Sequence, residues 1–231
     1  MKSLKRRISE RFTTRGLKPV EELIRYATAC DDYADLKIDS ATMQLEMCTY
    51  LDASALRFRS LSEALGRVKE PSISEIVTES VTMLVDSIAR SPALKDLQLE
   101  VSSERNVKLP VGGYRKPDVG IWKNDKLSLV VECKTCLGRR RKEWMDDYGS
   151  RLKEFESVGL SKEAFMLFVG TDTTWKGFPL GDPRVSKNWF SLCPVGTWYG
   201  SGKAGEVTLC EKQREGVVES FRNAIITLLT D

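Results

Sequence analysis

KPDVGIW, residues 116–122, and LSLVVECK, residues 127–134, are the two stretches of sequence that decide the fold of this 231-residue chain. The second stretch is nearly all apolar before Glu132, as expected of a central strand buried on both faces. Asn124 and Asp125 lie between the two stretches and favour a turn. We therefore predict a β-hairpin whose second strand lies inside a sheet.

Three charged residues fall at one end of this hairpin. Glu132 and Lys134 are two residues apart, so the alternation of side chains along a strand puts both on the same sheet face. Asp118 opens the first strand directly after Pro117, and the hairpin brings it alongside Glu132. A divalent cation balances such a group of charges, and Mg²⁺ prefers oxygen ligands of this kind. A structural Glu–Lys pair is the alternative, because a lone Glu-x-Lys triplet is common by chance.

The elements around the hairpin predict an α/β fold with the order helix, three strands, helix, strand. An antiparallel meander that feeds a crossover helix gives a mixed central sheet flanked by helices. Residues 1–70 have helical spacing and are predicted to form an N-terminal helical subdomain before a domain at 71–231. The predicted elements of this second domain are a helix from about 72 to 90, strands at 97–101, 119–122 and 127–132, a helix at 142–157, strands at 164–169 and 189–193, and a helix at 213–229.

The composition excludes several classes of function. The chain contains no histidine, which excludes histidine-based acid–base catalysis, Ser-His-Asp triads and His-ligated zinc. No apolar stretch approaches the roughly 20 residues that a membrane-spanning helix needs, and no apolar segment follows the basic N-terminus as in a secretory signal. The six cysteines are scattered and do not require disulfides. We expect a cytoplasmic protein with no membrane partner.

Positive charge is concentrated in two regions, although the net charge is only +3. Residues 1–25 hold eight Lys or Arg against three Glu, and residues 134–153 hold seven against three Asp or Glu. The second region contains the run Arg139, Arg140, Arg141 and Lys142. Beside a site that acts on a polyanion, this run is a candidate nucleic-acid-binding surface; otherwise it is a solvated surface.

Pro117-Asp118 followed by Glu132-Cys133-Lys134 resembles the PD-(D/E)xK signature of the restriction-endonuclease-like nuclease superfamily. The predicted order of elements over about residues 72–193 resembles its common core. The resemblance implies that Asp118 and Glu132 ligate Mg²⁺, that the Cys133 backbone carbonyl adds a ligand, and that Lys134 serves the attacking water. Many members carry another acidic residue on the helix before the strands.

Two glutamates are candidates for that additional acidic residue. Glu79 is the predicted metal ligand, with Glu75 as the alternative, and both lie away from the main apolar face of their helix. A plain solvated role for either glutamate is equally compatible with the sequence.

The function expected from these features is Mg²⁺-dependent endonucleolytic hydrolysis of duplex DNA, as in a Type II restriction enzyme or a related defence nuclease. Mn²⁺ is expected to substitute for Mg²⁺. A homodimer is expected by analogy, since cutting both strands usually needs two sites. The alternatives are an RNA endonuclease that uses the same site and a nucleic-acid-binding module that has lost catalysis.

Overall fold

The computed structural model describes residues 2–66, 74–138, 140–171, 173–196 and 213–231. No helix in these ranges is both long and apolar enough to span a membrane. The helices are α1 (Leu4–Thr13), α2 (Glu21–Ala34), α3 (Ser40–Ala64), α4 (Ser74–Ala89), α5 (Arg141–Glu156) and α6 (Val217–Thr230). The strands are β1 (Leu99–Ser103), β2 (Val107–Lys108), β3 (Tyr114–Arg115), β4 (Val119–Lys123), β5 (Lys126–Lys134), β6 (Phe165–Val169) and β7 (Trp189–Ser191).

The predicted hairpin is confirmed, with β4 and β5 as its strands. Lys123 pairs with Lys126, and the two residues between them, Asn124 and Asp125, have φ angles of 51° and 60°. A two-residue loop with positive φ at both positions matches the right-handed twist of the flanking strands, and Asn and Asp adopt this conformation more readily than most residues. The local sequence therefore sets the register next to the turn, and a β-bulge between Ile121 and Trp122 then shifts it by one residue on the way to Asp118 and Glu132.

The main sheet has five strands in the order β1-β4-β5-β6-β7. β1, β4 and β5 are antiparallel neighbours, whereas β5, β6 and β7 run parallel. Parallel neighbours need a crossover connection, and α5 lies in the connection between β5 and β6. The predicted mixed α/β class is thus confirmed. β2 and β3 form a separate two-stranded hairpin between β1 and β4.

The two faces of the sheet pack against different helices. α5 covers one face with an apolar stripe of four buried side chains, while α1 to α4 and α6 share the core on the other face. Residues of the N-terminal helices belong to this second core: Tyr26 is 1% exposed and its hydroxyl donates to the Ser80 carbonyl oxygen at 2.9 Å. The N-terminal helices therefore pack directly against α4.

The predicted starts of β1 and α6 were wrong because left-handed residues redirect the chain. β1 begins at Leu99, two residues later than predicted, because a short 3-10 turn ends at Gln98 with a φ of 51°. The last helix begins at Val217 and not near 213, because Gly216 has a φ of 69° directly before it. Both conformations interrupt the regular pattern that the apolar spacing suggested.

Candidate active site

The structure brings Asp118, Glu132 and Lys134 together where β4 begins and β5 ends. Val119 pairs with Val131, so the next pair along the hairpin places Asp118 across from Glu132. The Asp118 Oδ2 atom accepts a hydrogen bond of 2.8 Å from the backbone N–H of Cys133. This bond holds the Asp118 carboxylate against the backbone at the C-terminal end of β5.

The Lys134 ammonium lies between the two carboxylates. Its Nζ atom is 2.7 Å from the Glu132 Oε1 atom and 3.8 Å from the Asp118 Oδ2 atom. Lys134 and Glu132 are on the same sheet face, as the two-residue spacing predicts. The oxygen atoms of two carboxylates that share one cation are suitable ligands for a positively charged ion.

Glu132 is the most buried member of this group, with 1% of its surface exposed. Its Oε1 atom accepts hydrogen bonds from Lys134 and from the guanidinium of Arg151 on α5, while its buried Oε2 atom has no hydrogen-bond partner among the described residues. Burial, and next the negative charge of Asp118, raises the pKa of Glu132 to about 7 despite the two cations. The carboxylate is therefore short of positive charge and of one hydrogen-bond partner.

A cavity of about 540 Å³ opens beside Asp118 and Lys134, between α4 and the sheet, and Glu132 lies next to it without lining it. Its charged lining residues, within the described ranges, are four carboxylates and one ammonium: Glu75, Glu79, Glu104, Asp118 and Lys134. The formal charge of this lining is −3. A phosphodiester would be repelled from such a cavity unless cations accompanied it.

Glu79 lines the cavity, but its carboxylate points to a tyrosine of the N-terminal helices. The Tyr50 hydroxyl donates to the Glu79 Oε1 atom at 2.9 Å, and burial raises the pKa of Glu79 although part of the side chain is exposed. Across the described ranges, no three His, Cys, Asp or Glu side chains come close enough to form a metal-binding group. The structure therefore does not bring Glu79 together with Asp118 and Glu132, and Glu75 is exposed on the same helix.

Cys133 contributes its backbone to the site and its side chain to the core. The backbone N–H holds Asp118, whereas the thiol is buried in the core shared with α4, where burial raises its pKa well above the ordinary value. This agrees with the alternation of side chains along β5. The ligand role of the carbonyl oxygen stays a prediction.

The predicted basic surface lies at the start of α5. Arg139 lies outside the described residues. Arg140, Arg141 and Lys142 are exposed. Arg141 lies over the ring of Trp175, with its Cζ atom 5.0 Å from the ring centroid, within the range of a cation–π contact. The structure thus places three of the four residues on the surface of the helix that follows β5.

Arg151 is the site residue that the sequence analysis missed. Tyr148, three residues earlier on α5, donates its hydroxyl proton to the Phe165 carbonyl oxygen at 3.0 Å and ties the helix to β6. Arg151 also precedes the buried Phe155 by four residues, so it shares the buried stripe of α5. A charged residue within an apolar stripe was the available signal that it has a buried partner.

Comparison with known proteins adds no assignment. No family model matches the chain, and no curated protein matches it either. The geometry of the site and the resemblance in its residues are therefore the features that indicate a function.

Proposed function

We propose that the protein is a metal-dependent endonuclease that hydrolyses phosphodiester bonds in DNA, with Asp118, Glu132 and Lys134 as its catalytic residues. The observation that supports this most strongly is the convergence of these residues at one end of the β4–β5 hairpin. Lys134 Nζ lies within 4 Å of both carboxylates. The signature alone required only the order of the residues along the chain, whereas their spatial proximity is an independent requirement of the chemistry.

The architecture around the site is compatible with the proposal. In chain order, α4, β1, β4, β5, α5 and β6 follow the sequence helix, three strands, helix, strand, with β2 and β3 inserted before β4. The strands that carry the three residues are central in the sheet. We propose on this basis that the fold is restriction-endonuclease-like, which the mixed α/β class by itself does not establish.

The donor groups suit a divalent cation such as Mg²⁺, or Mn²⁺ in its place. Asp118 and Glu132 would hold it, together with the Cys133 carbonyl oxygen in our proposal. Three observations support this choice: the unpartnered Oε2 atom of Glu132, the raised pKa of that carboxyl, and the acidic lining of the cavity. When bound, the cation lowers the pKa of water and offsets the charge that develops on the phosphate.

The chain's own residues would position the reacting groups. The Cys133 N–H orients Asp118, and Arg151 donates to the Oε1 atom of Glu132, the same oxygen that Lys134 contacts. The Lys134 side chain is 30% exposed, and Lys134 is among the residues that line the cavity. Its ammonium can hold the attacking water by hydrogen bonding and stabilise the hydroxide that forms as the water releases its proton to solvent. Arg151 acts through Glu132, so we assign it as a positioning residue.

The proposal is tested by cleavage of plasmid DNA, single-stranded DNA and structured RNA with Mg²⁺, Mn²⁺ or EDTA. We expect discrete plasmid fragments with either metal and none in EDTA. Asp118→Asn and Glu132→Gln should each lower cleavage at least a hundredfold, about 2.7 kcal/mol of barrier. Asp125→Asn is the matched control, because it changes an exposed carboxylate at the other end of the same hairpin.

The other outcomes separate the alternative functions. Cleavage of RNA alone would show an RNA endonuclease that uses the same site. Binding without cleavage in every metal would show a binding module and would refute the proposed activity. Retention of a tenth of the activity by either site variant would refute the assignment of the residues. Sedimentation of the DNA-bound protein tests whether two copies assemble for cleavage of both strands.

A further inference from the structure

The β2–β3 hairpin rises from the rim of the candidate active site. Glu104, just before it, and Asp118, just after it, both line the cavity. The Glu104 N–H donates to the Pro117 carbonyl oxygen at 3.0 Å and closes the base of the hairpin. Lys116 is two residues before Asp118, about 7 Å along an extended chain. The base of the hairpin therefore borders the cavity.

Contacts with the body of the protein hold the hairpin in place. Val107 and Leu109 are each 7% exposed, and Val107 packs in the core that α5 covers. Arg115 donates two hydrogen bonds to the Glu154 carboxylate of α5, one of them 2.7 Å long. A two-stranded hairpin alone is marginally stable in water, so these contacts give it a fixed position beside the cavity.

The tip of the hairpin displays apolar side chains to solvent. Val111 is 90% exposed and Tyr114 is 65% exposed. Between them, Gly112 and Gly113 have φ angles of 93° and 80°, which keep the turn tight. Single exposed apolar residues are ordinary, but here two of them lie on one hairpin that is held in a fixed position beside the cavity.

Positive charge flanks this tip. Lys108 at the end of β2 and Lys116 after β3 are both exposed. The cavity itself is acidic, so a polyanionic substrate needs positive charge next to it to bind. Lys116 supplies that charge two residues before Asp118, and Lys108 supplies it across the hairpin, where it pairs with Tyr114.

We propose that the β2–β3 hairpin is a duplex-DNA contact next to the phosphate that is cleaved. Lys108 and Lys116 contact phosphates, while Val111 and Tyr114 pack against sugars and bases in the groove. Contacts with phosphates and sugars carry no sequence information, so the contact tolerates sequence. This inference rests on the proposed function, because it needs a nucleic acid at the site.

The test measures binding of a fluorescently labelled duplex in Ca²⁺, without relying on cleavage. We expect the double variant Val111→Ser with Tyr114→Ser to bind about tenfold more weakly, 1.4 kcal/mol. Lys108→Ala with Lys116→Ala should lower the slope of log K against log salt by about 0.9 for each lost phosphate contact. All four side chains are exposed, so urea unfolding of these variants should match the wild type.

Two control variants match the changes in chemistry at distant places. Lys126→Ala removes an exposed lysine eight residues from Lys134 along β5, about 26 Å away at 3.3 Å per residue. Leu45→Ser removes a leucine on α3 that is 48% exposed. Both controls should bind duplex as the wild type does.

The outcomes distinguish this inference from the proposed function. If the wild type cleaves DNA and the hairpin variants bind it unchanged, the inference is overturned and the nuclease assignment stands. If the hairpin variants bind DNA normally but lose self-association in sedimentation, the tip is a protein-docking element and the inference is again overturned. If the wild type neither binds nor cleaves DNA, the proposed function fails and the inference fails with it.

Discussion

Replacement of Glu132 by glutamine should change how the stability of the protein depends on pH. In the folded protein the pKa of Glu132 is raised from 4.5 to about 7, chiefly by burial and then by Asp118. Between these values the folded state keeps the proton that the unfolded chain has lost, so the native protein becomes less stable as pH rises through this range. At 1.36 kcal/mol for each pH unit, the loss amounts to about 3 kcal/mol above pH 7.

Glutamine has nearly the same shape and does not titrate, so Glu132→Gln should lack this loss. The difference in unfolding free energy between the variant and the wild type should therefore grow in favour of the variant from pH 4.5 to 7 and then level off. Any pH-independent effect of the lost bonds to Lys134 and Arg151 shifts the whole curve without changing its slope. The slope is the quantity that tests the argument.

Urea unfolding in EDTA, followed by tryptophan fluorescence at steps from pH 4.5 to 8, measures this difference. Asp125→Asn is the control and should run parallel to the wild type, because Asp125 is exposed. Parallel curves for Glu132→Gln and the wild type would refute the raised pKa. Adding Mg²⁺ or Mn²⁺ at pH 8 should stabilise the wild type by mass action and the glutamine variant much less.

Four further predictions concern the residues around the site. Lys134→Arg should lower single-turnover cleavage at least a hundredfold, about 2.7 kcal/mol, because a broad planar guanidinium cannot replace the compact ammonium that holds the water; near wild-type cleavage would leave Lys134 only a counter-charge. Arg151→Met should lower kcat more than it raises KM, since a positioning residue acts on the chemistry. An Arg151→Lys variant should recover part of the loss. A control variant at a distant position that changed kcat and KM to the same extent would contradict this prediction. Reversal of the basic run at 140–142 to Glu should weaken binding of all DNA sequences alike and flatten its salt dependence, and an unchanged slope would mark a solvated surface. Gly170→Ala should destabilise the fold by about 1–3 kcal/mol, because an added Cβ would lie 2.7 Å from a methyl group of Val77 on α4, and Val77→Ala should restore most of this in a double variant followed by urea unfolding.

The sequence by itself determined the centre of the sheet. Asn124 and Asp125 fix the turn, the apolar run before Glu132 fixes a buried strand, and the two-residue spacing fixes the common face of Glu132 and Lys134. These features could be predicted because each depends on backbone preferences and alternation within a few residues. The same local logic missed the left-handed residues that move the starts of β1 and α6.

Only the tertiary structure decided what surrounds the catalytic group. Arg151 meets Glu132 because α5 crosses the sheet face at that point, and Glu79 turns to Tyr50 because α3 packs beside α4. These contacts join residues 19 and 29 positions apart, and nothing in either local pattern specifies the partner. The burial that raises the pKa of Glu132 likewise depends on the packing of distant elements, because desolvation reflects everything that lies around the carboxylate.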